Sequence, residues 1–163
     1  MKEETLSLFD VIGEKCAICI TTNGDLRTNG DGIMGAGLAK AAAIRFPSIE
    51  RCLGHHLRMR GNVPGLLGST DEKGLLPLNG SGRTLVLSFP TKNSWRQPSS
   101  LELIENSAKL LVQLVDAIQL PMEGPLRVYL PRPGCGLGGL IWADVRAKIS
   151  PILDDRFIVV NQS

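Results

Sequence analysis

Two glycine-rich loops and one lysine are the residues of this sequence whose types and spacing could do chemistry. The first loop is Gly32-Ile-Met-Gly-Ala-Gly37, which leads into an alanine-rich stretch. The second is Pro133-Gly-Cys-Gly-Leu-Gly-Gly139, again between an apolar run and a helix-like segment. Glycine reaches positive φ without strain and lets an anion approach bare amides. A helix N-terminus adds unpaired N–H groups and a favourable dipole. Each loop alone could be a tight turn. Two of them, both at strand-to-helix junctions, favour a diphosphate held between them. Neither is a Walker A loop, because no Gly-Lys-Ser/Thr follows. Gly134-x-Gly136-x-x-Gly139 matches the dinucleotide fingerprint in letters, but it lies near the end of the chain rather than in a first βαβ unit. Lys92, in Phe89-Pro-Thr-Lys-Asn-Ser-Trp-Arg96, is expected at the C-terminal end of a strand. A lysine there can contact phosphate, act as a nucleophile, or stand in solvent. Trp95 can stack on a ligand ring or cover the core, and Arg132 is read as a side chain that snorkels, with no role assigned.

The elements that must position these residues follow from hydrophobic spacing. Thr5–Ile12 alternates loosely and reads as a first strand. Lys15–Thr21 is short and almost wholly apolar, as suits a strand buried on both faces. A helix is expected from Gly37 to Phe46-Pro47. A second helix is expected behind Ser48 as N-cap, with Ile49, Cys52, Leu53 and Leu57 on one face and Gly61 at its end. The stretch from Asn62 to Gly82 is rich in Gly and Pro, with one short strand expected at 75–78. Arg83–Phe89 reads as a buried strand. Ser99 with Glu102 forms a capping-box pattern. Leu101, Ile104, Ala108, Leu111, Val115 and Ile118 then give the clearest amphipathic helix. Leu126–Leu130 and Phe157–Val160 read as strands, with a helix at Trp142–Ile149 between them. Such alternation argues for a mixed or mostly parallel sheet covered on both faces. Ligands then sit outside the C-terminal strand ends.

Composition narrows the class. The chain has 163 residues, 43% hydrophobic and 21% charged, with 18 Lys plus Arg against 16 Asp plus Glu. That is the size of one domain with its own core, and a net charge of +2 does not mark a nucleic-acid scaffold or membrane surface. No apolar run reaches the length of a membrane span, and the first ten residues do not read as a signal peptide. The expectation is a cytoplasmic monomer. Its four cysteines read as free thiols rather than a secreted framework. Cys16 and Cys19 sit three apart in a strand and so face opposite sides, which argues against shared metal ligation. Cys52 with His55 and His56 is a weak metal pattern. No metal and no cofactor are expected.

The segments Asn29-Gly-x-Gly-Ile-Met-Gly-Ala-Gly-Leu-Ala39 and Leu130-Pro-Arg-Pro-Gly-Cys-Gly-Leu-Gly-Gly-Leu-Ile-Trp142 resemble the two ligand loops of macrodomains. The likeness runs from Leu6 to Val160 and suggests one macrodomain over residues 1–163. Within that family the chain is most similar to the branch of terminal ADP-ribose protein glycohydrolase and the DNA ADP-ribosyl-glycohydrolase antitoxin. Phe89-Pro-Thr-Lys-x-x-Trp-Arg-x-x-Ser99 resembles the antitoxin side in particular. The resemblance implies a three-layer α/β/α sandwich with a six-stranded mixed sheet. It implies that Asp10 accepts from the adenine amino group, and that Met34, Gly35, Ala36 and Gly37 line the distal ribose and diphosphate. Pro133, Gly134, Cys135, Gly136, Leu137 and Gly138 would supply the second loop, and Asn23 would reach the distal ribose. Lys92 would be the catalytic lysine that attacks or polarises the anomeric carbon, and attack requires a neutral amine. Gly138 stands where the terminal glycohydrolase has an Asp, although the antitoxin side also carries Gly-Cys-Gly-x-Gly-Gly. The activity implied is hydrolysis of ADP-ribose from a modified protein, nucleic acid or small molecule. The alternatives are a phosphatase acting on ADP-ribose 1″-phosphate and a reader that binds ADP-ribose without chemistry.

Overall fold

Residues 1–72, 74–75 and 82–161 are described by the structure, a computed structural model. Six strands form one mixed sheet in the order β1-β6-β5-β2-β4-β3. They are β1 (Lys2–Thr5), β2 (Cys16–Asn23), β3 (Gly65–Thr70), β4 (Thr84–Lys92), β5 (Val128–Pro131) and β6 (Phe157–Asn161). All neighbouring pairs are parallel except β3 with β4. Four helices cover the sheet: α1 (Gly37–Arg45), α2 (Ile49–Arg60), α3 (Leu101–Gln119) and α4 (Trp142–Ile149). This is the expected three-layer α/β/α sandwich.

Alternation along β2 divides the core in two. Cys16, Ile18 and Ile20 face a cluster with Phe46, Ile49, Leu53 and Met34, under α1 and α2. Ala17 and Cys19 face Ile104, Leu111, Val145 and Phe157, under α3 and α4. The two cysteines therefore lie on opposite faces, as a period of two demands. On α3, Ile104, Ala108, Leu111 and Val115 are buried at the spacing read from the sequence.

Three local expectations are corrected. Thr5–Ile12 is not a strand: β1 ends at Thr5, and Leu8–Val11 forms a 3-10 turn. Leu8 and Val11 are both buried three residues apart, which one turn of a three-residue helix achieves and a two-residue period does not. The N-cap of α3 is Ser100, whose Oγ accepts from Leu103 N at 3.2 Å, not Ser99. Ser48 sits at the N-cap of α2, but its side chain makes no capping bond.

Strand β3 was not legible in the Gly/Pro-rich stretch. Its first residue, Gly65, lies where an added Cβ would fall on the ring of His56, and Nε2 of that ring is 2.7 Å from Val63 O. A glycine that weakens strand propensity is thus required by a packed side chain. The strand expected at 75–78 falls almost wholly outside the described residues. Among the described residues, no helix is long and apolar enough to cross a membrane, and no group of three or more His, Cys, Asp or Glu is placed to hold a metal.

Candidate functional site

The C-terminal ends of β2, β4 and β5 open onto one cavity of about 640 Å³, within the size range of small-molecule sites. Both glycine loops and Lys92 border it. A register shift between Thr22 and Asn23 brings Asn23 opposite Lys92 across the β2–β4 pair. Asn23 is itself held in place: its Nδ2 donates to Ile33 O at 3.0 Å, and its Oδ1 accepts from Asp25 N at 3.0 Å. The backbone of Lys92 is fixed from the other side, where Asn62 Nδ2 donates to Lys92 O at 3.0 Å.

The first loop ends at the N-terminus of α1. Its N-cap is Ala36, which has no side-chain hydrogen bond to offer. The first-turn residues Gly37, Leu38 and Ala39 line the cavity, so helix amides without a side-chain cap face it. Gly37 adopts φ +54°, a conformation that favours glycine. Gly35 has no atom within 4 Å of where its Cβ would be. Glu50 of α2 anchors this loop from behind: its Oε1 accepts from Met34 N at 3.2 Å and pairs with Arg27 at 3.4 Å, while its carbonyl accepts from Gly32 N at 2.7 Å.

The second loop folds on itself through Leu140 N to Gly134 O (2.9 Å) and Gly139 N to Gly136 O (3.2 Å). Among the described residues the amides of Gly136, Leu137 and Gly138 have no such acceptor. They are available to an anion. Gly138 is a site of close packing. A Cβ there would fall on Ser99 Oγ and come within 2.6 Å of Gly134 O. Position 138 therefore takes no side chain without a shift of the surrounding backbone.

Charge in the cavity is one-sided. Arg27, Lys92 and Arg132 line it, and among the described residues no carboxylate side chain does. Such a site suits a diphosphate. Arg132 also lies over the Trp142 ring, 5.0 Å from its centroid, and 4.0 Å from Glu3. Asp25 accepts from Ser94 Oγ and Trp95 N, both at 2.8 Å, and so ties the loop after β4 to the loop after β2. Trp95, half exposed, is held at the rim with Arg96 stacked on it. Three buried side-chain polar atoms of lining residues have no partner among the described residues: Thr22 Oγ1, Ser99 Oγ and Arg132 Nε.

Of the residues singled out from the sequence, Asn23, Gly35, Ala36, Gly37, Lys92, Gly134, Gly136, Leu137 and Gly138 line the cavity. Four do not. Asp10 is exposed on the 3-10 turn. Met34 points into the core beside Phe46 and Leu53. Pro133 is buried, and Cys135 packs against the α3–α4 side, its thiol 3.6 Å from Pro133 O. Burial pushes the Cys135 thiol up from its ordinary range, as it does Cys52, and Cys16 to about 11. None of these three is a thiolate nucleophile at neutral pH. Arg27, Thr22, Thr91, Ser99 and Arg132 were missed. Thr91, Ser99 and Arg132 lie within the motifs of the sequence analysis, where Ser99 read as a helix cap and Arg132 as a snorkelling side chain without a role.

No family model matches the chain. It is 31% identical over 127 residues to a DNA ADP-ribosyl transferase–DNA ADP-ribosyl glycohydrolase fusion protein of Thermosipho africanus, covering 70% of this chain and 31% of that protein. The chain spans about a third or less of the length of the curated relatives it matches. Among solved structures it is similar to the macrodomain of Mycobacterium tuberculosis DarG, with TM-score 0.71 and 20% identity, covering 99% of this chain and 97% of that one. It is also similar to Thermosipho africanus DarTG in complex with ADP-ribose, with TM-score 0.72 and 22% identity, covering 96% of this chain and 40% of that one.

Proposed function

We propose that this chain, which has the macrodomain fold and whose sequence matches lie among DNA ADP-ribosyl glycohydrolases, binds ADP-ribose in its cavity and hydrolyses the bond that joins it to a modified group. The observation that carries this reading is the placement of Lys92. It stands opposite Asn23 in a cavity lined, among the described residues, by three cations and unpaired loop amides and by no carboxylate side chain.

The amides of Gly37–Ala39 and Gly136–Gly138 approach the cavity from two sides and hold the diphosphate oxygens between them. Arg27 and Arg132 add charge. The distal ribose then lies towards Lys92 and Asn23. Lys92 Nζ attacks the anomeric carbon through its lone pair, and the bond to the modified group breaks as that group takes the proton that the attacking nitrogen gives up. Water next displaces the lysine, releasing ADP-ribose and restoring the amine. Trp95 at the rim offers a flat surface on which a base of ADP-ribosylated DNA can stack, and DNA is the substrate class that the relatives' names give.

A second reading keeps the binding and drops the chemistry, because among the described residues no carboxylate lines the cavity to serve as a base. Lys92→Ala separates the two. In the hydrolase, calorimetry shows ADP-ribose binding within about threefold of wild type while turnover of thymidine-linked ADP-ribosyl DNA falls by at least about 10²-fold. Binding by wild type with no turnover of ADP-ribosylated DNA or protein leaves the reader. Failure of wild type to bind ADP-ribose removes both.

A further inference from the structure

Ser99 stands where three parts of the cavity meet. Its backbone N–H donates to Gly138 O at 3.1 Å, in the second loop. The next N–H, that of Ser100, donates to Thr91 O at 2.9 Å, one residue before Lys92. The residue is thus pinned between the proposed phosphate loop and the proposed catalytic lysine. It lines the cavity, is only 7% exposed, and its Oγ has no partner among the described residues.

The fold makes no visible use of that hydroxyl. Helix α3 is capped by its neighbour, Ser100. Yet the backbone keeps room for it, since a Cβ on Gly138 would fall on Ser99 Oγ. Buried hydroxyls are ordinarily hydrogen-bonded, and an exception calls for a partner. Alanine at position 99 would forgo no internal hydrogen bond. Two other orphaned atoms, Thr22 Oγ1 and Arg132 Nε, belong to residues lining the same cavity, so half of the six orphaned buried side-chain atoms among the described residues gather there.

Resting on the ADP-ribose reading above, we propose that Ser99 is a direct ligand-binding residue. Its Oγ–H donates to an oxygen of the ligand between the phosphate held by the Gly136–Gly138 amides and the distal ribose beside Lys92. The ligand class is a sugar diphosphate, and Ser99 reads its distal half.

The test is calorimetric titration of ADP-ribose and of AMP, the latter by displacement, into wild type and Ser99→Ala, with thermal unfolding of both proteins. The expected result is an unfolding temperature equal to wild type or slightly above it. Affinity for ADP-ribose weakens about tenfold or more, the usual loss for one hydrogen bond to a charged oxygen, and affinity for AMP is unchanged. Equal ADP-ribose affinity in the two proteins overturns the role of Ser99 and leaves the proposed function standing. A lowered unfolding temperature with equal losses for both ligands makes Ser99 structural and overturns it too. If wild type itself does not bind ADP-ribose, the proposed function falls and the ligand role of Ser99 falls with it.

Discussion

The two glycine loops look alike in sequence and do different work. In the first, Gly35 faces open space and nothing in the fold forbids a side chain there. In the second, Gly134 and Gly138 are packed shut: a Cβ on Gly134 would lie 2.7 Å from Ile104 Cδ1, and one on Gly138 would meet Ser99 and the Gly134 carbonyl. Each loop holds both kinds, since a Cβ on Gly32 would lie 2.6 Å from Leu53 Cδ2 and Gly136 faces open space, but the first loop is packed only at its start and the second at both Gly134 and Gly138. Each loop also leans on an acid from a distant element. Glu50 holds the first. Glu3, which reaches Arg132, Arg146 and Trp142, holds the entrance to the second. Glycine spacing alone therefore does not tell a ligand surface from a packing joint.

Gly138→Ala attacks that contrast most directly. Backbone, not a flexible side-chain end, is among the groups it strikes, so the loop must move. The expected cost is about 1–3 kcal/mol of stability, or several degrees of unfolding temperature, together with loss of ADP-ribose binding. Wild-type stability in this variant would show that the second loop is as open as the first. Gly35→Ala makes the opposite claim. Its unfolding free energy from denaturant titration stays within about 0.5 kcal/mol of wild type, while a methyl group in the cavity weakens ADP-ribose binding about tenfold or more. Unaltered affinity would place the ligand away from the first loop.

The smallest effect concerns the acid anchor of the second loop. The hydrogen bond from Arg146, the largest cause, holds the Glu3 carboxyl below its ordinary value of 4.5. A depressed carboxyl contributes stability that is present above the unfolded-state value and is lost as pH falls through the lower folded-state value. Glu3→Gln is therefore less stable than wild type at pH 7, by under about 1 kcal/mol because the pair is solvent-accessible. The gap closes as the pH is taken below 4.5. A gap that persists at low pH would mean that the anchor is steric rather than electrostatic.

Much of the architecture was legible in the chain. Helix α3 announced itself through Leu101, Ile104, Ala108, Leu111 and Val115, and β2 through an unbroken apolar run. These are local periodicities, and one buried face per element is enough to write them. Strand β3 escaped because its first residue, Gly65, answers to a neighbour, His56, rather than to strand propensity. Met34 and Gly35 show the resolution of such reading: adjacent in one motif, one faces the core and the other the cavity.

By itself the sequence determined the alternation of strands and helices, the two glycine loops at strand ends, and a lysine at the end of the strand before the longest helix. Backbone freedom, side-chain period and chain order are properties of short stretches, so residue types suffice to state them. Only the tertiary structure decided that Asn23 lies across from Lys92, that Arg27 and Arg132 join it with no carboxylate among the described lining residues, and that Ser99 fills the room beside Gly138. Those pairings depend on how strands shift in register and how α3 packs against a loop some forty residues further along the chain. No local pattern encodes the distance between two elements until packing sets it.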